Sequence, residues 1–111
     1  MGKITFEIAV ENIDSVKEIQ ESRVADRIEL CDNLMVGGTT PSAGLIQQSL
    51  KSSYLPVMVL IRPRPGDFHY SKSEFDVMIS DVMFVKIAGV SGVVTGILKV
   101  DGHVDRERMA R

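Results

Sequence analysis

The stretch RIELCDNLMVGGTTPS, residues 27–42, decides the fold class. It begins with polar and apolar residues in alternation, which is the period-two pattern of a β-strand, and it ends in two glycines and a Thr-Pro pair that precede a helical pattern. Cys31, the only cysteine of the chain, lies where the strand pattern gives way to the loop. A strand, a loop and a helix in this order form the repeating unit of parallel sheets.

Three further strand patterns lie on either side of this stretch. The four runs that we predict as strands are Thr5–Val10, Arg27–Cys31, Pro56–Arg62 and Gly92–Ile97. A helical pattern follows each of them, and the order β-α-β-α-β-α-β-(α) predicts an α/β fold with about four parallel strands and flanking helices. The pattern leaves two architectures open, a doubly wound sheet and part of a TIM-type (β/α) barrel. No glycine-rich turn follows the first strand, which weighs against a dinucleotide site of the doubly wound class.

The helix boundaries carry recognisable residues. Thr40 is expected to cap the second helix, with Pro41 at the first helical position, where proline is favoured. Ser71 and Glu74 have the spacing of a capping box at the start of the third helix, and Gly89 is expected to end it. The loops before these helices follow directly on the strands, at the end of the sheet where this architecture carries its chemistry.

Composition and charge exclude several classes of protein. The 111 residues carry a net charge of -2, so the chain lacks the basic face of a nucleic-acid-binding protein. Its longest apolar runs are far too short to cross a bilayer. A single cysteine forms no internal disulfide, which favours a reducing compartment and a cytoplasmic location. No shift in composition marks a boundary, so residues 1–111 are expected to form one domain.

The period of two along each strand sorts the polar residues onto one face of the sheet. Glu7, Glu29, Cys31 and Arg62 share that face, and the helices are expected to cover the other, apolar face. Because unpaired charges are costly to bury, these residues should line a site or pair with each other. Glu7 and Glu29 are then either an acid–base pair or metal ligands, or they form a salt-bridge cluster with Arg62.

A second informative stretch, IRPRPGDFHYS, covers residues 61–71. Arg62 and Arg64 each precede a proline, which stiffens the backbone, and a rigid guanidinium group suits a carboxylate or phosphate ligand. Asp67 and His69 follow on the same loop and offer acid–base chemistry or metal ligands. The alternative is an Arg–Asp pair that only shapes the loop.

The loop after the second strand offers two further candidate sites. Thr39 and Ser42 stand before a helix N-terminus, whose free N–H groups attract anions, although simple capping explains the same residues. Cys31 is the candidate ligand for a soft metal, because a thiolate prefers Cu(I) or Zn. A buried, unreactive cysteine is the alternative.

These stretches together resemble the CutC family of copper homeostasis proteins. The matching pieces are FEIAVENIDSV, ADRIELCDNLMVGGTTPSAGLI, PVMVLIRPRPGDFHYS and GVVTGILKVDGHVD, which lie in order and cover nearly the whole chain. The resemblance implies a TIM-type barrel with its pocket at the carboxyl ends of the strands, and a cytoplasmic copper homeostasis protein. It makes Cys31 the thiolate ligand of a copper ion, together with Met35 or the Cys31 of a second copy.

The chain departs from the family pattern at three positions. Ala9 stands where the family often has a cysteine, which would face Cys31 from the first strand and supply a second thiolate. Pro65 replaces a glycine in the arginine loop, and Val24 replaces a small residue before the second strand. A full TIM barrel also takes roughly 250 residues. The chain resembles the N-terminal half of a family member, and the open edges of a half barrel predict a homo-oligomer.

Three functions are compatible with the sequence. The first is copper binding in copper homeostasis. The second is an enzyme-type pocket in which Arg62 and Arg64 bind an anionic small molecule. Glu7 and Glu29 would act there as acid and base, positioned by Asp67. The third is a fragment without activity, which serves only as a folding or assembly unit.

Overall fold

The computed structural model of the chain describes residues 3–111, in which four strands alternate with helices. The strands are β1 (Glu7–Val10), β2 (Arg27–Leu30), β3 (Val57–Leu60) and β4 (Gly92–Val94). The helices are α1 (Ile13–Ser22), α2 (Ala43–Ser52), α3 (Lys72–Ala88) and α4 (Arg106–Met109), with a 3₁₀ turn at Leu34–Val36 in the loop after β2. The predicted α/β class is confirmed.

The strand order distinguishes between the two architectures that the sequence left open. The sheet runs β1-β2-β3-β4, and each strand is parallel to the next. A doubly wound sheet would reverse its strand order at a switch point, whereas a (β/α) barrel places its strands in chain order. The fold is therefore a partial TIM-type barrel.

The apolar core lies between the sheet and the helices. Ile8 of β1, Ile28 of β2 and Val57 of β3 are in register across the sheet, and Leu30 and Val59 continue the same face. Buried helix residues that complete this core are Val16, Ile46, Phe75, Met78 and Val85. Each fully buried side chain of this size stabilises the fold by about 1.5–3 kcal/mol relative to exposure, so this layer provides most of the favourable burial.

Side chains at the helix ends bind free main-chain groups, and the signals predicted for the third helix are confirmed. Asn12 caps α1 by accepting a hydrogen bond from the Ser15 N–H at 2.8 Å. At α3, the Ser71 side chain accepts from the Glu74 N–H at 3.1 Å while the Glu74 carboxylate accepts from the Ser71 N–H at 2.8 Å. Gly89 ends α3 with a φ of 92°, a left-handed conformation that glycine adopts without strain.

The predicted N-cap of α2 is wrong. The helix begins at Ala43, and Ser42 is the cap, accepting from the Leu45 N–H at 3.1 Å. Thr40 does not cap the helix because its hydroxyl binds the main chain at the end of β3. It accepts from the Arg62 N–H at 2.9 Å and donates to the Arg62 carbonyl at 3.2 Å. The Arg62 N–H thus donates to a side chain and not to a neighbouring strand. Strand β3 accordingly ends at Leu60, earlier than the predicted end at Arg62.

Helix α3, with 17 residues, is the longest helix within residues 3–111, and its apolar side chains are only partly buried. Phe75, Met78 and Val85 are in the core, whereas Ile79 remains partly exposed and Met83 is exposed. An apolar groove therefore runs along α3 beside β4. Within residues 3–111, no helix is long and apolar enough to cross a membrane.

Candidate functional site

The face of the sheet opposite the helices carries the polar residues that the sequence grouped together. We call it the inner face. Ala9, Glu29 and Met58 are in register across β1, β2 and β3, on the opposite side from the core residues. Glu7 lies two residues before Ala9, and Cys31 two residues after Glu29, so both share this side. The predicted grouping of Glu7, Glu29 and Cys31 is confirmed.

Cys31 is a buried thiol beside a carboxylate. Its side chain donates to Glu29, with Sγ 3.6 Å from Oε1 and 3.8 Å from the main-chain carbonyl. The residue is only 1% exposed. Burial first, and then the negative charge of Glu29, raise the pKa of the Cys31 thiol to about 12. At neutral pH the sulfur is therefore protonated, and a metal ion would have to displace that proton.

The glycine loop explains why this thiol is buried. Gly38 has a φ of 97°, and a Cβ added there would lie 2.7 Å from Leu60 Cδ2 and 3.7 Å from Cys31 Cβ. Only a residue without a side chain allows the loop to pack this closely. The loop is further tied to the end of β2, because the N–H groups of Asp32 and Thr39 each donate to the other's carbonyl.

Glu7 and Glu29 are neighbours on the inner face, as predicted, but Arg62 is not their partner. Glu7 accepts a hydrogen bond from Arg27 Nε at 2.5 Å. Burial, followed by a hydrogen bond with Glu7, raises the pKa of Glu29. The predicted salt-bridge cluster with Arg62 is wrong, since Arg27, in register with Glu7, takes that place. The period-two pattern puts Arg27 on this face too, and that signal could have identified it.

Arg62 is buried and holds the loops after β2 and β3 together. Its Nη1 donates to the carbonyls of Val36 and Gly38, and its Nη2 donates to the carbonyl of Gly66, each at 2.8 Å. The guanidinium also lies over the Phe68 ring, 5.1 Å from its centroid. Arg62 is 8% exposed, it has no carboxylate partner within the described residues, and its Nε has no acceptor. The planar guanidinium group of Arg62 therefore binds main-chain carbonyls, and not the carboxylate or phosphate ligand that the sequence suggested.

Arg64 pairs with carboxylates, and it also donates to three main-chain carbonyls within residues 65–69. Its Nε donates to Glu74 Oε2 at 2.5 Å, and its Nη2 donates to Asp67 Oδ1 at 3.1 Å. The guanidinium stacks on Tyr70, 4.8 Å from the ring centroid. The His69 N–H and then Arg64 lower the pKa of Asp67, while Arg64 lowers that of Glu74 to about 2. The predicted Arg–Asp pair is present between Arg64 and Asp67. The catalytic role of Asp67 stays a prediction.

Thr39 and Ser42 flank a cavity of about 480 Å³ at the N-terminus of α2, which Arg62 and Arg64 also line. Their oxygens already have partners: Thr39 Oγ1 accepts from Asn33 Nδ2 at 3.0 Å, and Ser42 caps the helix. The cavity therefore brings the four predicted ligand-binding residues together, although their polar atoms are largely occupied. Anion binding by these residues stays a prediction.

The donor atoms for a metal ion are few. Met35 is fully exposed, so it does not contact the buried thiol. His69 Nδ1 lies 3.2 Å from the Leu98 carbonyl, on a different loop from Cys31. Within residues 3–111, no group of three or more His, Cys, Asp or Glu side chains is arranged to hold a metal ion. One thiol with a carboxylate beside it fits a soft cation bound through sulfur, and does not fit a closed, multi-ligand site.

Comparisons with known proteins identify the family. The family model of the CutC family matches residues 4–111. The Homo sapiens copper homeostasis protein cutC homolog is 46% identical over 102 residues, covering 92% of this chain and 37% of that protein. A CutC family protein from Photobacterium profundum is 42% identical over 104 residues, covering 94% of this chain and 42% of its own length.

A solved structure supports the same relationship. The crystal structure of CutC from Streptococcus agalactiae matches with a TM-score of 0.86 and 35% identity, over 96% of this chain and 52% of that chain. The chain thus spans about two fifths of the length of those two relatives and about half of the solved structure. Because the family model matches residues 4–111 and the fold is shared with a solved member, the chain belongs to the CutC family.

Proposed function

We propose that this chain takes part in copper homeostasis by binding Cu(I) through the thiolate of Cys31. The observation that carries the proposal is the position of Cys31, at the carboxyl end of β2 with its sulfur 3.6 Å from the Glu29 carboxylate. The relatives' names support the copper part, since they are called copper homeostasis proteins. Copper is the bound cargo in this proposal.

The chemistry follows from the neighbours of the thiol. A Cu(I) ion prefers the thiolate over the thiol, so binding releases one proton. Glu29 lies within reach of Sγ and accepts the thiol hydrogen bond, so its carboxylate takes that proton first and passes it to solvent. Ala9 faces the same side on β1 and supplies no second thiolate. The remaining ligand therefore comes from outside this set, and the ratio of copper to chain reports whether a second copy provides it.

Native mass spectrometry with limiting Cu(I), under anaerobic conditions and over a pH series, tests this proposal. We expect the parent to bind copper and Cys31→Ser, the closest match in size, to lose it. With the pKa of the thiol near 12, affinity should rise about tenfold per pH unit between pH 6 and 8, because one proton is displaced per ion. Copper retained by Cys31→Ser, or an affinity independent of pH, would contradict the site.

The proposed location is the cytoplasm, where a lone cysteine stays reduced and available to Cu(I). In an oxidising compartment, oxidation of the Cys31 thiol would compete with copper binding for the same sulfur. The proposal therefore requires that Cys31 be found as a free thiol in the native protein.

An enzyme-type pocket is the second candidate, and one observation favours it. Burial and the hydrogen bond with Glu7 raise the pKa of Glu29, which is the property of a general acid paired with a second carboxylate. Inorganic phosphate, added in the same mass spectrometry, is the probe for an anionic substrate near Arg62. Phosphate bound equally by the parent and Cys31→Ser, with copper bound by neither, would favour this candidate over copper binding.

A further inference from the structure

The loop after β2 packs against Cys31 and helps to keep its side chain out of solvent. Cys31 is 1% exposed, and this burial is produced by residues of the chain itself. Gly38 is part of the cover, since a Cβ added there would lie 3.7 Å from Cys31 Cβ. An ion or a reagent therefore reaches the sulfur only when part of this cover moves away.

Residues 33–38 form the head of this loop, which we call the lid. The two ends of the lid are joined by main-chain hydrogen bonds, because the Asp32 N–H donates to the Thr39 carbonyl at 2.9 Å and the Thr39 N–H donates to the Asp32 carbonyl at 2.7 Å. Three residues of the lid have left-handed backbone angles, among them Asn33 with a φ of 51°. A short irregular segment closed at its base can move as a unit while the strands beside it stay paired.

Two side chains hold the lid in place, and they differ in exposure. Arg62 is buried, and its Nη1 donates to the carbonyls of Val36 and Gly38 at 2.8 Å each. Glu11 is exposed, and its Oε2 accepts from the Leu34 N–H at 2.8 Å. Because water competes for an exposed hydrogen bond, the Glu11 contact breaks more readily than the contacts of Arg62.

We propose that the lid opens to admit a ligand to the Cys31 sulfur, and that Glu11 is the latch that limits how often it opens. Glu11 directly follows Val10, whose carbonyl accepts from the Cys31 N–H at 2.9 Å, so the latch is fixed to the strand end that also holds the thiol. Its contact with Leu34 can break while the pairing of β1 with β2 remains. Control of copper loading by the lid rests on the proposed function, whereas the lid itself does not.

Labelling of Cys31 with N-ethylmaleimide at constant pH, in the parent, Glu11→Ala and Glu11→Gln, tests the latch. Cys31 is the only cysteine of the chain, so the extent of labelling reports this thiol alone. Alanine removes the acceptor for the Leu34 N–H, and we expect labelling to become about tenfold faster. Glutamine is the matched control, because its side-chain carbonyl still accepts that hydrogen bond without a charge, and its rate should stay within about threefold of the parent.

Three outcomes of the labelling would overturn the proposal. Equal rates in the parent and Glu11→Ala would show that Glu11 does not hold the lid. Glutamine labelled as fast as alanine would show that the charge of Glu11 acts on the thiol and that the hydrogen bond does not matter. A parent labelled as fast in its native state as in urea would show that nothing covers the sulfur. Because the reagent is not a metal, a failed latch and a failed copper site give separate results.

Hydrogen exchange separates opening of the lid from a general loss of stability. The Gly38 amide donates to the Asn33 carbonyl at 3.0 Å inside the lid, whereas Val59 lies in the central strand β3. Glu11→Ala should speed exchange at Gly38 and leave Val59 protected. Faster exchange at both amides, or at neither, would contradict a local opening controlled by Glu11.

Discussion

Arg62 and Arg64 have the same local sequence, an arginine followed by proline, and yet they do different work in the molecule. Arg62 is buried and donates only to main-chain carbonyls, while Arg64 is nearer the surface and donates both to carboxylates and to main-chain carbonyls of its own loop. The following proline stiffens the backbone at both arginines. Their hydrogen-bond partners differ because the two side chains lie in different parts of the fold. Arg62 reaches the glycine loop after β2, whereas Arg64 reaches Glu74 at the start of α3.

The difference teaches how the pocket end of this half barrel is built. The buried guanidinium of Arg62 has no carboxylate partner within the described residues and is held by hydrogen bonds to carbonyls. Salt does not screen these hydrogen bonds. The Arg64 pairs are exposed enough for salt and solvent to weaken them. One arginine therefore holds the loops in place, and the other adds a charge-dependent contribution to the same loop.

The largest expected effect comes from removing the Arg62 side chain. Arg62→Ala leaves the carbonyls of Val36, Gly38 and Gly66 without their donor, and we expect the free energy of unfolding to fall by about 3–5 kcal/mol. Urea denaturation followed by circular dichroism measures this change. A loss below about 1 kcal/mol would contradict the structural role of Arg62.

Arg62→Lys sharpens the same comparison and is useful if the alanine variant does not fold. Lysine keeps the positive charge, but its single ammonium group cannot reach three carbonyls with the geometry of a planar fork. We expect a stability between those of Arg62→Ala and the parent. Full recovery by lysine would mean that the charge matters and the fork does not.

A smaller, pH-dependent effect is expected at the Arg64 pair. Arg64 lowers the pKa of Glu74 to about 2, below the 4.5 of an unfolded glutamate. A lowered pKa stabilises the fold above pH 4.5, and this contribution is lost as the pH falls through 2. Glu74→Gln keeps the capping box but removes the charge. The difference in melting temperature between the parent and Glu74→Gln should therefore shrink from pH 5 to pH 2, and also in 1 M salt at pH 7.

The Arg64 prediction fails if the two melting temperatures differ equally at all these pH values. A difference that persists in high salt would show that the hydrogen-bond geometry, and not the charge, is what Glu74 contributes. Lys72→Ala is the control, because its pair with Asp76 is an exposed helix pair at 3.3 Å and should have almost no effect.

The smallest effect is expected at Tyr70, whose hydroxyl lies buried between the two arginine environments. Within residues 3–111 the hydroxyl has no hydrogen-bond partner, and burial raises the pKa of Tyr70. Tyr70→Phe keeps the ring on which Arg64 stacks and removes only the hydroxyl, so the free energy of unfolding should change by less than about 1 kcal/mol. A larger loss in thermal denaturation would mean that the hydroxyl is a working partner of Arg62 Nε.

Local signals in the sequence predicted most of the elements. Ser71 and Glu74 form the capping box that their spacing indicated, and the period of two placed Glu7, Glu29 and Cys31 on one face. These predictions succeeded because each depends on a pattern within one strand or one helix turn. Thr40 failed as a cap because its hydroxyl is bound to Arg62, 22 residues further along the chain.

The candidate site was predictable in position and less so in detail. The sequence placed polar residues at the ends of β2 and β3, where the structure has the buried thiol and both arginines. It did not identify Arg27 as the partner of Glu7, since that choice depends on the register of two strands. It also did not indicate that Arg62 would bind carbonyls, because carbonyl positions are set by loops that no local pattern specifies.

The sequence by itself determined the alternation of strands and helices, the inner face of the sheet and the membership in a family, because each is carried by hydrophobic period or by short motifs. Only the tertiary structure decided the strand order, the partners of Arg62 and Arg64, and the raised pKa of Cys31. These depend on burial and on contacts between residues far apart in the chain. The physical reason is that periodicity is local, whereas desolvation and charge pairing are properties of the folded whole.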